Sequence, residues 1–413
     1  MNSDTVDPKR TVSELKELRS LTGNADGAQR VAFTETWARA RTWFRAKLAE
    51  LPVEVHQDAA GNLWATLQGA SNEALIIGGH IDSVPNGGWL DGCLNLLAGL
   101  EVLRRVASRG KPPITVRLVD WADEEGARFG RSLFGSSAVS GSLSPSQVRD
   151  LRDRDGIRLA DAIGPHGIDI DHVLDAGAEI ANAKAYLELH IEQGPVLENL
   201  GLPMGVVLGT FGVERHAITF TGQAAHSGST PMAVRRDALA GVSRLHLAIR
   251  EIAVKHGGVC TVGSVTTQPG IVTAVVGEAV MTLDQRHLDA KALAAMYAEA
   301  QAASRQIAKE ENIEVAWRQI WQIQPFPFHP ELIDLGDESI RKICGKSHRL
   351  PSGPLHDAAE MCRTGTPTVM LFVQSLRGIS HNKIEDTKEE HIEMSVKALD
   401  ELASRTMEWV LGR

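Results

Sequence analysis

Short β-rich runs alternate with helix-period segments through the first third of the chain, and this alternation constrains the fold more than any other feature. The pattern predicts a helix near 33–51, strands near 53–56, 62–67 and 74–79, a helix near 92–109 and a strand near 114–121. A helix between two strands returns the chain to the end where the first strand began, so the strands pair in parallel. An α/β layer structure with a mixed, mostly parallel sheet is therefore expected. At 413 residues the chain also exceeds one ordinary core, and two domains are expected.

The period changes near residue 213. A strand (ERHAITFTG) precedes a helix at about 231–256, two strands (VCTVGSVTT and AVMTLDQRH), a helix at about 290–310 and a last strand (IEVAWRQIW). The order βαββαβ is the split βαβ, or ferredoxin-like, unit, which can stand as its own small domain. After the Pro-rich QPFPFHP at 324–330, the apolar strand TPTVMLFV and a closing helix near 391–411 resume the α/β pattern. The expected organisation is a large domain made of 1–212 and 328–413, interrupted by an inserted domain at 213–327. A ligand cleft between two such lobes is the natural arrangement.

The apolar run ALII ends in GGHIDSVPNGGWLDG, residues 78–92, which places His80, Asp82 and Asp91 among turn-forming glycines. Imidazole and carboxylate are the usual donors for zinc and its first-row neighbours, and a carboxylate can bridge two ions. Further donors follow other strands: Glu124 and Glu125 after TVRLVDW, His190 at the end of KAYLELH, and His381 after TPTVMLFV. Taken singly, Glu124 and Glu125 read as a solvated charge pair, and His190 or His381 as a hydrogen-bonded loop histidine. Jointly, all lie at the carboxyl ends of expected strands, where open α/β sheets bind ligands. Such a set fits two cations about 3.5–4 Å apart with a shared carboxylate and a bridging water, an arrangement suited to amide hydrolysis. One member of the Glu124–Glu125 pair can bind metal while the other serves as general base.

These motifs, together with ADEEGARFGRSLFGS, ELHIEQGPVLE, TGQAAHSGSTPMAVRRDAL, LDQRH, SGPLHDAAEM and GISHNKIEDT, resemble one family. It comprises N-carbamoyl-L-amino-acid hydrolase, β-ureidopropionase and allantoate amidohydrolase, within the binuclear aminoacylases and carboxypeptidases. The resemblance implies a metallohydrolase domain with an inserted ferredoxin-like lid and dimerisation domain. It implies His80 and Glu125 as ligands of opposite ions, Asp91 as the bridge, His190 and His381 as the further ligands, and Glu124 as the general base. Asp82 would orient the His80 imidazole. In the inserted domain it implies His226 as oxyanion donor, against the alternative of a turn histidine, and Arg286 as the partner of a substrate carboxylate, against an exposed strand-end arginine. Gln193 would line the same pocket, and Arg235 and Arg236 read as helix-surface charges.

One departure concerns the substrate. The family carries an asparagine where this chain has Thr273, and the asparagine expected after Pro269 is Gly270. Threonine offers a single hydroxyl in place of an amide, so Thr273 points to an altered acyl pocket. The expected reaction is hydrolysis of an N-carbamoyl-L-amino acid or β-ureido acid to the amino acid, ammonia and CO2. Hydrolysis of another N-acyl amino acid is the alternative within enzymes, and a catalytically silent binding protein the alternative outside them. The implied cofactors are two divalent ions, Zn2+ first, with Mn2+, Co2+ or Ni2+ accepted by the same donors.

A net charge of −9 argues against nucleic acid or an anionic membrane as partner and leaves a small molecule; the resemblance implies that it is an amide bearing a carboxylate, and that the chain forms a homodimer through the inserted domain. No run approaches the roughly 18–20 apolar residues of a membrane span, and MNSDTVDPKR lacks the apolar core of a signal peptide, so the cytoplasm is expected. Cys93, Cys260, Cys344 and Cys362 show no paired spacing. Cys93, close to Asp91, reads as a small buried side chain rather than a nucleophile.

Overall fold

The computed structural model describes residues 5–413. The chain divides into two compact units, one running to Leu208 and resuming at Phe328, the other comprising Gly209–Pro327.

In the first unit, the strands Thr368–Val373, Ala183–Ile191, Ser71–His80 and Ile114–Trp121 lie side by side, each parallel to the next. Antiparallel strands flank them: Met204–Thr210 beside Thr368–Val373, and Leu63–Leu67 followed by Glu54–Gln57 beyond Ile114–Trp121. The central strands are apolar and buried along most of their length, as parallel strands covered on both faces must be. The helix Cys93–Ser108 is buried from Cys93 through Val106, and it packs on three of those strands and on the helices Pro8–Thr22 and Glu389–Leu411. Its buried charged residues are paired, Arg104 with Glu14 and Arg105 with Asp400, as burial in so central a position requires.

Because four neighbouring strands run the same way, their carboxyl ends share one edge of the sheet. A buried ion pair braces that edge. The Arg41 guanidinium donates to Asp120 Oδ2 at 2.7 Å, while Asp120 Oδ1 accepts the N–H of Ile81 at 2.8 Å. Arg30 donates from Nε to the Ile81 carbonyl at 2.8 Å. The residue following His80 is thus held on both of its backbone polar groups.

The second unit has the order β-α-β-β-α-β. Its sheet runs Val259–Gln268, Glu278–His287, Gly212–Thr221, Glu314–Ile323, antiparallel throughout, with the helices Ala238–His256 and Ala290–Glu310 packed on it. Buried and exposed positions alternate along Glu278–His287, as expected where helices cover one face. Ile218, Phe220, Leu245, Ile249, Met281 and Leu283 form the core of this unit.

Several elements differ from the sequence expectations. The helix expected from about 231 begins at Ala238, because Asp237 caps it by accepting the N–H of Leu239 and the Arg236 carbonyl is taken by the N–H of Gln223. Arg235 and Arg236 therefore lie ahead of the helix rather than on its surface. The helices Pro8–Thr22 and Pro330–Cys344 and the strand Met204–Thr210 add to the expected set. Among the described residues, no helix is long and apolar enough to cross a membrane.

Candidate metal centre

His80 is the last residue of Ser71–His80, and its ring lies against the backbone of the turn that follows. Gly92 makes this possible: its φ is +65°, and a Cβ there would come within 2.4 Å of the His80 ring. The turn delivers Asp91 to the N-terminal end of the helix Cys93–Ser108, where the helix dipole favours a negative charge. His190 ends the neighbouring strand Ala183–Ile191, Glu124 and Glu125 follow Ile114–Trp121, and His381 follows Thr368–Val373 by a loop.

These side chains form two groups that share one carboxylate. His80, Asp91 and His190 make the first and Asp91, Glu125 and His381 the second, with the donor atoms of each group within 4.8 Å of one another. Asp91 Oδ1 is 3.0 Å from His190 Nε2 and 3.8 Å from His80 Nε2. Its other oxygen, Oδ2, is 3.4 Å from His381 Nε2, which in turn is 3.3 Å from Glu125 Oε2. One carboxylate therefore serves both groups, one oxygen to each.

The imidazoles are oriented for ligation. His190 Nδ1 lies 2.8 Å from the Ile191 carbonyl and His80 Nδ1 3.3 Å from the Asp82 carbonyl. A carbonyl only accepts, so Nδ1 carries the proton in both rings, and Nε2 faces the carboxylates. His80 Nε2 is buried and has no hydrogen-bond partner. A nitrogen left unsatisfied among carboxylates fits a divalent cation with nitrogen and oxygen ligands.

Glu124 belongs to neither group, although its Oε2 is 3.6 Å from His80 Nε2. Burial, then repulsion from Asp357 and Glu125, raises its carboxyl well above the usual range despite the opposing pull of His80. Burial and repulsion from Asp91 do the same to Glu125. Burial opposes charge on His80 and His190, yet the carboxylates outweigh it: Glu124 and Asp82 for His80, Asp91 for His190, so both rings are raised. Burial likewise works against ionised Asp91, but His190 and the neighbouring histidines hold its carboxyl below the usual range. The cluster thus attracts protons, which bound divalent cations would replace.

Asp82 does more than face His80. Its Oδ1 is 3.5 Å from His80 Nδ1, and its two oxygens accept the backbone N–H groups of Glu124 at 3.3 Å and Glu125 at 3.2 Å. The Gln193 amide donates to Asp91 Oδ2 at 2.9 Å and to the Ser380 hydroxyl at 3.0 Å, so its N–H groups are engaged within the cluster. Asp123, Gln193 and His381 all have φ between +54° and +57°, left-handed conformations that are costly for side chains other than glycine and concentrate at functional sites.

Two neighbours of the cluster were not singled out from sequence. The buried ring of His356 lies 4.4 Å from that of His190, and burial together with His190 holds it well below its ordinary pKa, hence neutral. Glu385 lies behind Asp91, accepting the backbone N–H of both Leu90 and Asp91. Its only trace in the sequence is its place four residues after His381 in GISHNKIEDT.

The inserted unit carries the other expected residues. His226 lies in a two-stranded ribbon, Ala225–His226 paired with Ala274–Val275, and Ser227 N–H donates to the Thr273 carbonyl, so His226 and Thr273 are neighbours. His226 Nδ1 accepts the N–H groups of Gly228 at 3.1 Å and Ser229 at 3.2 Å. Its proton therefore resides on Nε2, which leaves an exposed donor. Arg235 braces this turn by donating to the carbonyls of Ser227 and Thr230. Arg286 is held by Asp284, Nε to Oδ1 at 2.7 Å, and the same carboxylate pairs with Arg215.

A parallel sheet that gathers such a donor set at its strand ends is the architecture of a metal-dependent hydrolase. The sequence pattern of peptidase family M20/M25/M40 matches residues 76–405, and the chain belongs to that family. It is 36% identical over 371 residues to the N-carbamoyl-L-amino acid amidohydrolase of Geobacillus stearothermophilus, covering 88% of this chain and 90% of that protein. It is 34% identical over 381 residues to the allantoate amidohydrolase of Escherichia coli K12, covering 91% and 92%. The crystal structure of a hydantoinase/carbamoylase family amidase from Burkholderia multivorans matches with a TM-score of 0.87 at 32% identity, over 98% of each chain.

Proposed function

We propose that the chain hydrolyses the linear amide of an N-carbamoyl-L-amino acid or β-ureido acid, releasing the amino acid, ammonia and CO2. The observation that carries this reading is the division of Asp91 between two histidine–carboxylate groups, with Glu124 beside them and in neither. Two divalent ions bound there would lower the pKa of a water and polarise the amide carbonyl. Glu124 would take a proton at a carboxylate oxygen from the water whose oxygen adds to the carbonyl carbon, and would deliver it to the leaving nitrogen as the C–N bond breaks. The carbamic acid left behind falls apart to ammonia and CO2.

His226 donates from Nε2 to the developing oxyanion, a role supported by the two N–H groups its Nδ1 accepts. Arg286 binds the substrate carboxylate, with Asp284 fixing the plane of its guanidinium. Zinc is the first choice of ion, and manganese, cobalt and nickel suit the same donors. Exposed apolar side chains on the two edge strands of the inserted unit, Val259, Val265, Ile320 and Trp321, support a homodimer through that unit. The scattered positions of Cys93, Cys260, Cys344 and Cys362, without paired spacing, support a reducing, cytoplasmic setting.

Thr273 favours a second reading, hydrolysis of a different N-acyl amino acid. It stands where the resembled family has an asparagine, and it neighbours the His226 turn. A panel of N-carbamoyl, N-formyl, N-acetyl and longer N-acyl amino acids, with allantoate, separates the two. The metal-loaded protein is expected to release ammonia from ureido substrates; amino-acid release from the acyl series alone would establish the second reading, and turnover of none would refute both.

A further inference from the structure

The Asp91–Glu125–His381 group draws two of its donors from loops far apart in the chain, one carrying Asp91 and the other His381. Glu385, itself buried, joins them. Its Oε1 accepts the backbone N–H groups of Leu90 and Asp91, each at 3.1 Å. Its Oε2 lies 2.8 Å from the hydroxyl of Ser380, the residue before His381, and that hydroxyl is also 3.0 Å from Asp91 Oδ2. A hydroxyl has one proton to give. When it donates to Glu385, a lone pair of Asp91 Oδ2 is left for a cation. The next residue continues the contact, as Asp386 accepts Trp89 Nε1 at 3.2 Å.

Gly88 completes the arrangement. A Cβ at this position would lie 1.9 Å from Glu385 Oε1 and 2.0 Å from its Cδ, whereas the backbone of Gly88 is outside the left-handed region and suits alanine. The glycine is required by the Glu385 carboxylate, not by the turn.

We propose that Glu385 is a positioning residue for one half of the metal centre, setting Asp91 Oδ2 and His381 in register while leaving the His80–His190 half to the strand ends. This rests on the two-ion reading above. The alternative, that Glu385 merely satisfies two buried N–H groups, predicts a loss of stability without preference for either ion.

Titration of chelator-stripped protein with Co2+, followed by calorimetry and visible absorption, distinguishes them. The wild type is expected to take up two ions per chain. E385A and G88A are expected to keep the first ion within about threefold and to weaken the second by at least about tenfold. E385Q should recover the second ion only in part, since its carbonyl oxygen still accepts both N–H groups while its amide nitrogen cannot accept the Ser380 proton. G88A added to E385A should cost nothing further, because the clash has gone. Wild-type affinity for the second ion in E385A or G88A, equal weakening of both ions, or additivity in the double variant would overturn the proposal. Fewer than two ions on the wild type would instead refute the two-ion reading and remove the ground beneath Glu385.

Discussion

The Asp82 carboxylate accepts the backbone N–H of Glu125 at 3.2 Å, across a sequence separation of 43 residues. With the matching contact to Glu124 N–H, it fixes the turn that carries both acidic side chains relative to the His80 loop. Replacing Asp82 with alanine removes both acceptors. We expect metal affinity and turnover to fall about 10- to 100-fold, measured by Zn2+ titration and by kcat. Unchanged values would mean that the turn is held by its other contacts.

Glu124 stands in neither donor group, so Glu124→Gln is expected to retain both ions while turnover falls by at least about 100-fold. Metal analysis of the purified variant is the check. Loss of an ion would assign Glu124 as a ligand and leave Glu125 as the base.

Arg286 presents a guanidinium that Asp284 already orients. Arg286→Ala should raise KM for a carboxylate substrate by about 10- to 100-fold, the worth of a charged hydrogen bond, with a smaller effect on kcat. Substrates whose carboxylate is capped as an amide should be insensitive. Equal effects on both would place the carboxylate elsewhere.

The metal-free protein should lose stability as pH rises. Burial, with repulsion from Asp91, raises Glu385 from its ordinary 4.5 to about 7, and Glu124 and Glu125 are raised well above that ordinary value. His80 and His190 are raised as well. Each group holds its proton to a higher pH folded than unfolded, so the folded state binds more protons and the slope of stability against pH is negative. For Glu385 the loss falls between pH 4.5 and about 7; for the histidines it begins near 6.5. Tm of chelated protein is expected to drop between about pH 6.5 and about pH 8, above the range in which the lowered His356 works the other way, and cations that replace the protons should flatten the curve. A Tm that climbs over this range would contradict the sign.

Arg41 and Asp120 form a buried pair behind His80. Removing one partner strands the other, so Arg41→Ala should cost about 3–5 kcal/mol in urea unfolding. A cost near zero would show that water reaches Asp120.

Strands such as Ser71–His80 were legible because an apolar run ends in a donor, and the donors of four such runs had one edge to share. Contacts that do not leave a pattern along the chain were hidden. Glu385 binds backbone N–H groups almost 300 positions away, and backbone groups have no sequence identity to read. Gln193 could be seen in HIEQG, but its amide contacts with Asp91 and Ser380 depend on a left-handed turn that glutamine rarely adopts. The start of the helix at Ala238 turned on the Asp237 cap, which competed with a longer helical period beginning at Pro231.

The strand Thr368–Val373 lies between Met204–Thr210 and Ala183–Ile191, although it is made after both and after the whole inserted unit. During synthesis the sheet cannot close until this late strand enters its middle. His80, Asp91 and His190 have all left the ribosome by then, whereas His381 comes behind the closing strand. The two donor groups therefore have different birthdays, and the second can assemble only after the closing strand is in place.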